Sequence, residues 1–591
     1  MKIRDFIICF TMLIIAAALF LAAGSQLDYI NAKRQQMNLT AKEPLENAPP
    51  SLAFATIAMG TFRGLIVDIL WLRAEALKQE GQFFDAKQLA DWITILQPRL
   101  AAVWEFHAWN MAYNISVAIP ANQPEQRWKW VKNGYELLRD KGIQTNPESI
   151  RLYRELSRIF LHKIGGITDD AHKYYKLQLA MAMQPLLANA DNKFFEKLAN
   201  APKTWDEILT QKQIKQFVKD LAATDPAFAN RDRFVENYIS LRQNPARFES
   251  EAFDVIDDYR RTDALKKFDL FAKAFQLRSH WKLEPRLMKR LNETYGPINI
   301  TDPNQRFPLD WRHPDTHAIY WAVRGLEIAG GRDFSIDETN TDRMVAHSLQ
   351  DLFRSGKIYI YSPLRKTSEE NSKPEKTNFE DKQIFLRPDL RMFDSYNKAM
   401  TAQLEKYKKF SKQSIYRTFQ IAHRNMFINA AFSFYQAGHI HQARKIYNQL
   451  RKLYPGDEFK IPFVVFIKNR FRGEIQSLGI DDAREMIQLM LRESYFRYAM
   501  RDDDIAAARE NMAEEIYNTY KSIYHEKRIE LPTFELLRYL ALGDFFSDPT
   551  YPTTLREKLI ARIKLEKPDL AEKLKQIERN MIKQKQNQTP K

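Results

Sequence analysis

The sequence predicts an all-α protein, a superhelix of helical hairpins behind one N-terminal transmembrane helix, and three observations carry that reading. Glycine is scarce, 18 of 591 residues, whereas phosphate loops and tight β-hairpins draw on its backbone freedom. Two segments far apart in the chain carry the same spacing of small and turn residues. An uncharged run at 6–24, FIICFTMLIIAAALFLAAG, is long enough to cross a bilayer, which takes about 20 apolar residues as a helix.

The length is too great for one compact core, so roughly two to four domains or one repeat array are expected. The net charge of +16 comes from 90 basic and 74 acidic residues. Such a balance fits affinity for an anionic surface or simply a solvated helical surface. No basic stripe interleaved with aromatics points to a nucleic-acid groove. Cys9, the one cysteine, lies inside the apolar run, so the body after it holds no disulfide, thiolate nucleophile or cysteine-ligated metal.

Lys2 and Arg4 precede the apolar run, and Ala22 and Gly24 could supply a cleavage site. The run exceeds the ~7–15 apolar residues of a cleaved signal, so residues 1–25 read as an uncleaved signal-anchor. Lys33, Arg34 and Lys42 follow it, and positive-inside counting leaves the orientation open. The very short leading tail favours an exocytoplasmic, periplasmic body. Pro44, Pro49 and Pro50 make residues 26–50 a stiff tether. A second apolar stretch, 51–72, contains Arg63 and Asp68, which are costly at a bilayer centre. It reads as a buried first helix of the array.

The repeat signal lies in 67–100 and 424–457. The first carries Ala74, Gly81, Ala86 and Pro98; the second carries Ala431, Gly438, Ala443 and Pro455, at identical offsets. Small residues at both Ala positions let two antiparallel helices approach, Gly makes the turn, and Pro closes the second helix. Tyr447 supplies a bulky plug between the paired helices. Both segments resemble the tetratricopeptide repeat of about 34 residues. Weaker neighbours extend the array: Trp104 and Ala108 before an insertion at 120–126, a turn at Gly165-Gly166 followed by Ala171 and Tyr175, and a turn at Asp502 to Asp504 followed by a packing Ala507.

These readings divide the body into N-terminal tetratricopeptide-like repeats at 51–190, a helical middle region at 191–400, C-terminal repeats at 401–545 and a helical basic tail at 546–591. The middle shows helical periodicity without a clean repeat, and its charged, apolar-poor segment 364–388 reads as a loop. From Pro44 to Tyr175 the chain resembles a group of uncharacterised bacterial membrane-anchored tetratricopeptide proteins. The resembling words are PLENAPP, FRGLIVDILWLRA, DWITILQPR, AWNMAYNIS, RWKWVKNG and YYKLQLA. That resemblance implies a fold and an anchor, and it carries over no catalytic residue.

Candidate partner-binding residues gather in VWEFHAWNMAYNIS and RWKW: Trp104, Trp109, Asn110, Asn114, Arg127, Trp128 and Trp130. Asn110 and Asn114 are four apart and share one helix face. Asparagines there can hold a peptide backbone, or they can bridge their helix to the loop at RWKW. Arg127, Trp128 and Trp130 would form an aromatic, cationic rim. His313 and His317 have the spacing of helical zinc ligands, but Pro314 makes His313 a cap and no third ligand is evident. The alternating oxygens from Asp333 to Thr341 lack the central Gly and closing Glu of a calcium loop, so they read as an exposed loop.

Motifs for nucleophilic serine, zincin, P-loop or dinucleotide chemistry do not occur. The expected function is a membrane-anchored scaffold, not an enzyme, that binds a protein or peptide within a bacterial envelope assembly. No cofactor, metal or nucleic acid is expected. Two alternatives stay open: an envelope enzyme or carbohydrate-processing component with an acidic site in the middle region, and a structural spacer that binds an anionic lipid surface.

Overall fold

The computed structural model describes residues 63–188, 190–241, 243–329, 336–361, 382–410, 414–475, 480–523, 531–547, 551 and 553–588, with a few helical positions between 11 and 33. Within the apolar run at 6–24, Thr11, Met12, Ile14, Ile15, Ala16, Ala18 and Leu19 are helical, and the rest lies outside the described residues, as do most of the tether and residues 51–62. Among the described residues no helix is long and apolar enough to cross a membrane.

The first hairpin pairs α1 (Arg63–Gln79) with α2 (Phe83–Leu96). Their approach is set by Ala74 and Ala86, both buried, and the turn is made by Gly81 at φ 78°. The Gly81 N–H donates to the Lys78 carbonyl (3.1 Å) and the Gln82 N–H to the Leu77 carbonyl (2.8 Å), the two bonds that close a helix through a left-handed residue. α1 buries Val67 and Ala74, but Leu65, Ile69 and Leu72 are more than half exposed, so only one side of the expected buried helix is covered.

Three composite helices follow: α3 at 101–118, α4 at 124–145 and α5 at 150–164. Each starts as α-helix and then widens into a π segment, at Asn110–Ile115, Leu137–Gly142 and Ile159–Ile164. A π turn adds a residue and swings the side chains after it around the axis, a feature frequent at functional sites. Gly134 lets α4 meet α3 closely: a Cβ there would lie 2.9 Å from the Ala108 carbonyl and 3.0 Å from the Ala112 Cβ. Gly134 does for this pair what Ala86 does for the first. α6 (His172–Leu187) comes next.

Two compact units divide the chain. One comprises 1–182, 201–285 and 314–348, the other 183–200, 286–313 and 349–591. In the first unit, helices between Trp205 and Ser279 enclose an aromatic core of Phe217, Phe234, Phe268 and Phe271, with Trp205 packed against it. Its third segment brings α7 (Pro314–Ala329), whose residues Pro314 to Ala322 are buried on every side. α7 packs on α5. The Ser157 hydroxyl donates to the Ala318 carbonyl (2.8 Å), His317 stacks on Phe160 (5.0 Å), and Gly325 abuts Tyr153, where a Cβ would come within 2.7 Å. α8 (Ile336–Ser355) follows. Residues 336–341, expected as an exposed loop, are its first turns, with Thr339 and Thr341 buried.

The second unit contains what the all-α expectation missed, an antiparallel pair of β1 (Lys357–Tyr361) and β2 (Gln383–Arg387). Both alternate aliphatic or aromatic residues, as KIYIY and QIFLR, which suits a pleated surface. The expected charged loop at 364–388 therefore ends in a strand; residues 362–381 lie outside the described residues. After α9 (Phe393–Tyr407), the hairpin of α10 (Ser414–Gln436) and α11 (Ile440–Leu453) reproduces the first one. Ala431 and Ala443 are fully buried, Gly438 takes φ 83°, and its N–H and that of His439 donate to the Tyr435 and Phe434 carbonyls, both at 2.9 Å. Tyr447 is buried, and its hydroxyl donates to the Ile461 carbonyl (2.9 Å). The residues that close α2 and α11, Gln97 and Tyr454, share φ/ψ near −131/74 and −130/71.

A third hairpin, α12 (Ile480–Ala499) and α13 (Asp503–Ile523), repeats the turn with a different residue. Arg501 occupies the left-handed position at φ 61°, and the N–H groups of Arg501 and Asp502 donate to the Tyr498 and Arg497 carbonyls. Its close contact is Ser494 against Ala506, where the serine hydroxyl donates to the Ala506 carbonyl (2.8 Å). Ala507, expected as the packing residue, is exposed one position away. The basic tail is helical over Pro568–Gln588.

The shared turn makes a reciprocal prediction. A left-handed conformation costs a residue with a Cβ about 1–2 kcal/mol, and a Cβ at Gly81 or Gly438 meets nothing closer than 3.9 Å. Gly81→Ala and Gly438→Ala should each destabilise by about 1 kcal/mol through the backbone alone, whereas Arg501→Gly should stabilise by a similar amount. Denaturant unfolding followed by helical circular dichroism checks the opposite signs.

Candidate functional site

The seven residues expected to bind a partner separate into three environments. Trp104 belongs to the core; its indole N–H donates to the Pro98 carbonyl (2.7 Å) and its ring lies against Gly142. Asn110 is fully buried. Its amide N–H donates to the Phe83 carbonyl (2.9 Å), and its Oδ1 accepts from Asn114 Nδ2 (2.9 Å). The asparagine pair thus clamps α3 to the start of α2. A bridge is what one sequence reading expects, but it runs to α2 and not to RWKW. Trp130 sits edge-on to Phe84 at 5.6 Å.

Arg127 and Trp128 enter a second environment, centred on Asp169. Arg127 Nε donates to the Ile119 carbonyl (2.8 Å) and Nη1 to Asp169 Oδ1 (3.1 Å). Lys163 Nζ donates to Asp169 Oδ2 (2.5 Å), the Ala171 N–H donates to Oδ1 (2.9 Å), and the Tyr175 hydroxyl reaches both oxygens at 3.3 Å. Trp128 stacks on Tyr175 at 5.8 Å. Burial alone would raise the Asp169 pKa; bonds from Lys163 and Ala171 and the Arg127 charge outweigh it and hold the carboxyl below its usual range. Burial also lowers Lys163, against the pull of Asp169.

The third environment is half-buried. Trp109 is half-buried and stacks on Tyr113 at 5.9 Å. Lys78 Nζ lies 5.3 Å from both the Phe106 and Trp109 rings, and Phe106 packs on Trp71 at 5.2 Å. Arg158 and Lys163 lie over Tyr113 at 5.2 and 5.5 Å. Beside this band, Glu105 pairs with Arg151 and Arg154, and Arg154 also pairs with Asp337. The result is a strip of rings and guanidiniums across α1 and α3, which each open an antiparallel pair, and α5, which packs on α7. Cations over ring faces, and Trp, Tyr and Arg side chains, recur among the residues that dominate protein interfaces.

Of the expected residues only Trp109 lies on this strip, and Lys163 connects it to the Asp169 cluster. Sequence reading missed Trp71, Lys78, Phe106 and Arg158 as members. The seven-residue spacing of Trp71 and Lys78, and the three- and four-residue steps through Phe106, Trp109 and Tyr113, are the signal that places them on one face.

His313 and His317 do not form a pair of ligands. His313 Nε2 contacts the Ser355 carbonyl at 3.1 Å, and His317 stacks on Phe160 with Trp281 tilted against it at 5.8 Å. Among the described residues no group of three His, Cys, Asp or Glu side chains could hold a metal ion. No family model matches the chain, and a search of curated proteins finds no match.

Two substitutions test this arrangement. Asp169→Ala leaves Arg127 and Lys163 buried without their shared carboxylate, so it should cost about 3–5 kcal/mol, read as loss of denaturant stability. His107 is buried 3.3 Å from Asp91, and burial outweighs that carboxylate to lower its pKa to about 4. Its neutral form is favoured by folding, so its contribution is complete above about pH 6.5 and is lost as pH falls towards 4. His107→Phe should flatten the fall of Tm across that window.

Proposed function

We propose that the protein is a membrane-anchored, tetratricopeptide-type scaffold that holds a protein or peptide partner within a bacterial envelope assembly. The observation that carries this reading is the repeated hairpin: three antiparallel helix pairs close through a residue in the same left-handed conformation, Gly81, Gly438 or Arg501, and the same two backbone bonds. In tetratricopeptide arrays, hairpins of this kind bury one face against the next, and their first helices line a binding surface. The strip of Trp109, Tyr113, Lys78 and Arg158 runs from α1, the first helix of the N-terminal pair, onto α3 and α5, and supports contact there. The uncharged run at 6–24 is the proposed anchor, and the body lies on the exocytoplasmic side.

A partner on this strip supplies extended or helical backbone with acidic or apolar side chains, matching rings capped by cations. A photoreactive residue in place of Trp109, in the full chain in its native membrane, is expected to capture a discrete protein adduct. Lys78→Ala combined with Arg158→Ala should reduce that adduct several-fold while helical content stays unchanged. Labelling of lipid or water alone, with no protein adduct, would falsify the reading.

A further inference from the structure

The first helix is apolar on two opposite sides, and the fold covers one of them. Val67 and Ala74 are buried on the side where α1 packs on α2. Across the helix, Leu65, Ile69 and Leu72 are 57%, 57% and 71% exposed, and Ala76 is exposed in line with them. These four recur at steps of four, three and four residues, the spacing that keeps one narrow seam turned to a partner helix. Trp71 and Lys78, which reach Phe106 and Trp109, leave α1 on another side, so the stripe is separate from the strip of rings and cations.

The chemistry of the stripe says what covers it. In heptad terms Leu65 and Leu72 take d, and Ile69 and Ala76 take a. A β-branched residue at a with leucine at d favours two parallel strands. The flanking charges set the same direction. Asp68 takes g and Arg73 takes the e position five residues on, and in a parallel two-stranded coil those positions face each other across the interface. Both side chains are exposed, and neither has an ion-pair partner among the described residues. Glu75, the next g residue, is held by Lys78 of its own helix at 2.6 Å, and α1 ends at Gln79, before the matching e position. An antiparallel pair sets g beside g and would bring Asp68 towards Glu75 of the other copy. The stripe is thus complementary to itself, running the same way.

We infer that α1 is a homodimerisation helix: two copies of this chain pair in parallel through Leu65, Ile69, Leu72 and Ala76, with Asp68 of each copy bonded to Arg73 of the other. Two-fold symmetry forms that ion pair twice. The helix has 17 residues, a short seam, so pairing is weak between free chains and is strengthened where both are held on one membrane. Parallel packing also brings the two chains into α1 from the same end, as anchors in one bilayer require. That advantage rests on the proposed anchor; the seam itself does not.

The test uses the full chain with Cys9→Ser, in detergent and in reconstituted membrane, carrying one new cysteine and treated with a short bismaleimide. Ile69→Cys and Leu72→Cys should each give a covalent homodimer several-fold above that of Gln88→Cys, an exposed position on α2. Leu65→Cys chains mixed with Ala76→Cys chains should crosslink like to like. Asp68→Arg added to the Leu72→Cys chain should lower the yield several-fold, because two attractions become repulsions, and Arg73→Asp added to both should restore it. Residues five apart on one helix do not face each other, so that rescue reads contact between copies. All these positions are exposed, and helical circular dichroism should match the native chain. A Leu72→Cys yield no higher than that of Gln88→Cys overturns the inference, as does an Asp68→Arg loss that Arg73→Asp leaves in place. Crosslinking of Leu65→Cys to Ala76→Cys overturns it in favour of an antiparallel contact. Slow labelling of the Leu72→Cys thiol by a monofunctional maleimide, without dimer, overturns it and assigns the stripe to another segment of the same chain, to lipid or to another protein.

Discussion

The first unit depends on the contact between α5 and α7. A helix as apolar and aromatic as HAIYWAV must be enclosed, and α5 supplies one wall through Tyr153, Ser157 and Phe160. Gly325 is what permits this, because any side chain there would displace Tyr153. Tyr153 and Phe160 lie on the face of α5 turned to α7, while Arg151 and Arg154 project elsewhere and meet Glu105 of α3. The interior contact therefore fixes the rotation of α5, and with it which charges reach the strip.

Buried polar groups in this unit serve position more than chemistry. Asn110 satisfies a backbone carbonyl of α2, and Asp169 neutralises two cations from different helices while capping the Ala171 N–H. Each is costly to bury unpaired, so each specifies one arrangement among the helices it joins. The π segments accompany these contacts: Asn110 opens one and Lys163 lies in another. A widened turn lets a side chain reach a partner that a regular helical repeat would miss.

What the sequence made legible follows from how locally each feature is encoded. The two Gly-centred hairpins were readable because Ala, Gly and Pro spacing sets both the approach and the turn. The third was blurred because Arg501 adopts the left-handed conformation without a glycine and Ser494 replaces the small alanine. β1 and β2 escaped because two five-residue strands flank a charged segment that dominates the local composition. The asparagines could be read as holding a peptide or as bridging their helix, and Trp104 as a partner contact or a repeat residue; a helix with neighbours on several sides turns all three inward. Arg127 could not be assigned without Asp169, 42 residues away in the chain, a pairing that only the fold creates. Trp109 and the face it shares with Tyr113 needed only the helical step.

The interleaving of the two units has a consequence for the order in which this protein forms. α5 emerges from the ribosome well before α7, with a stretch of the second unit made between them. At ordinary elongation rates that interval is on the order of ten seconds, during which the sides of Tyr153 and Phe160 that meet α7 are uncovered. The nascent N-terminal pairs are thus half-finished surfaces that wait for a distant helix. A shortened chain ending at the last recognisable N-terminal pair would keep that unfinished surface, and with it a tendency to associate with itself or with chaperones.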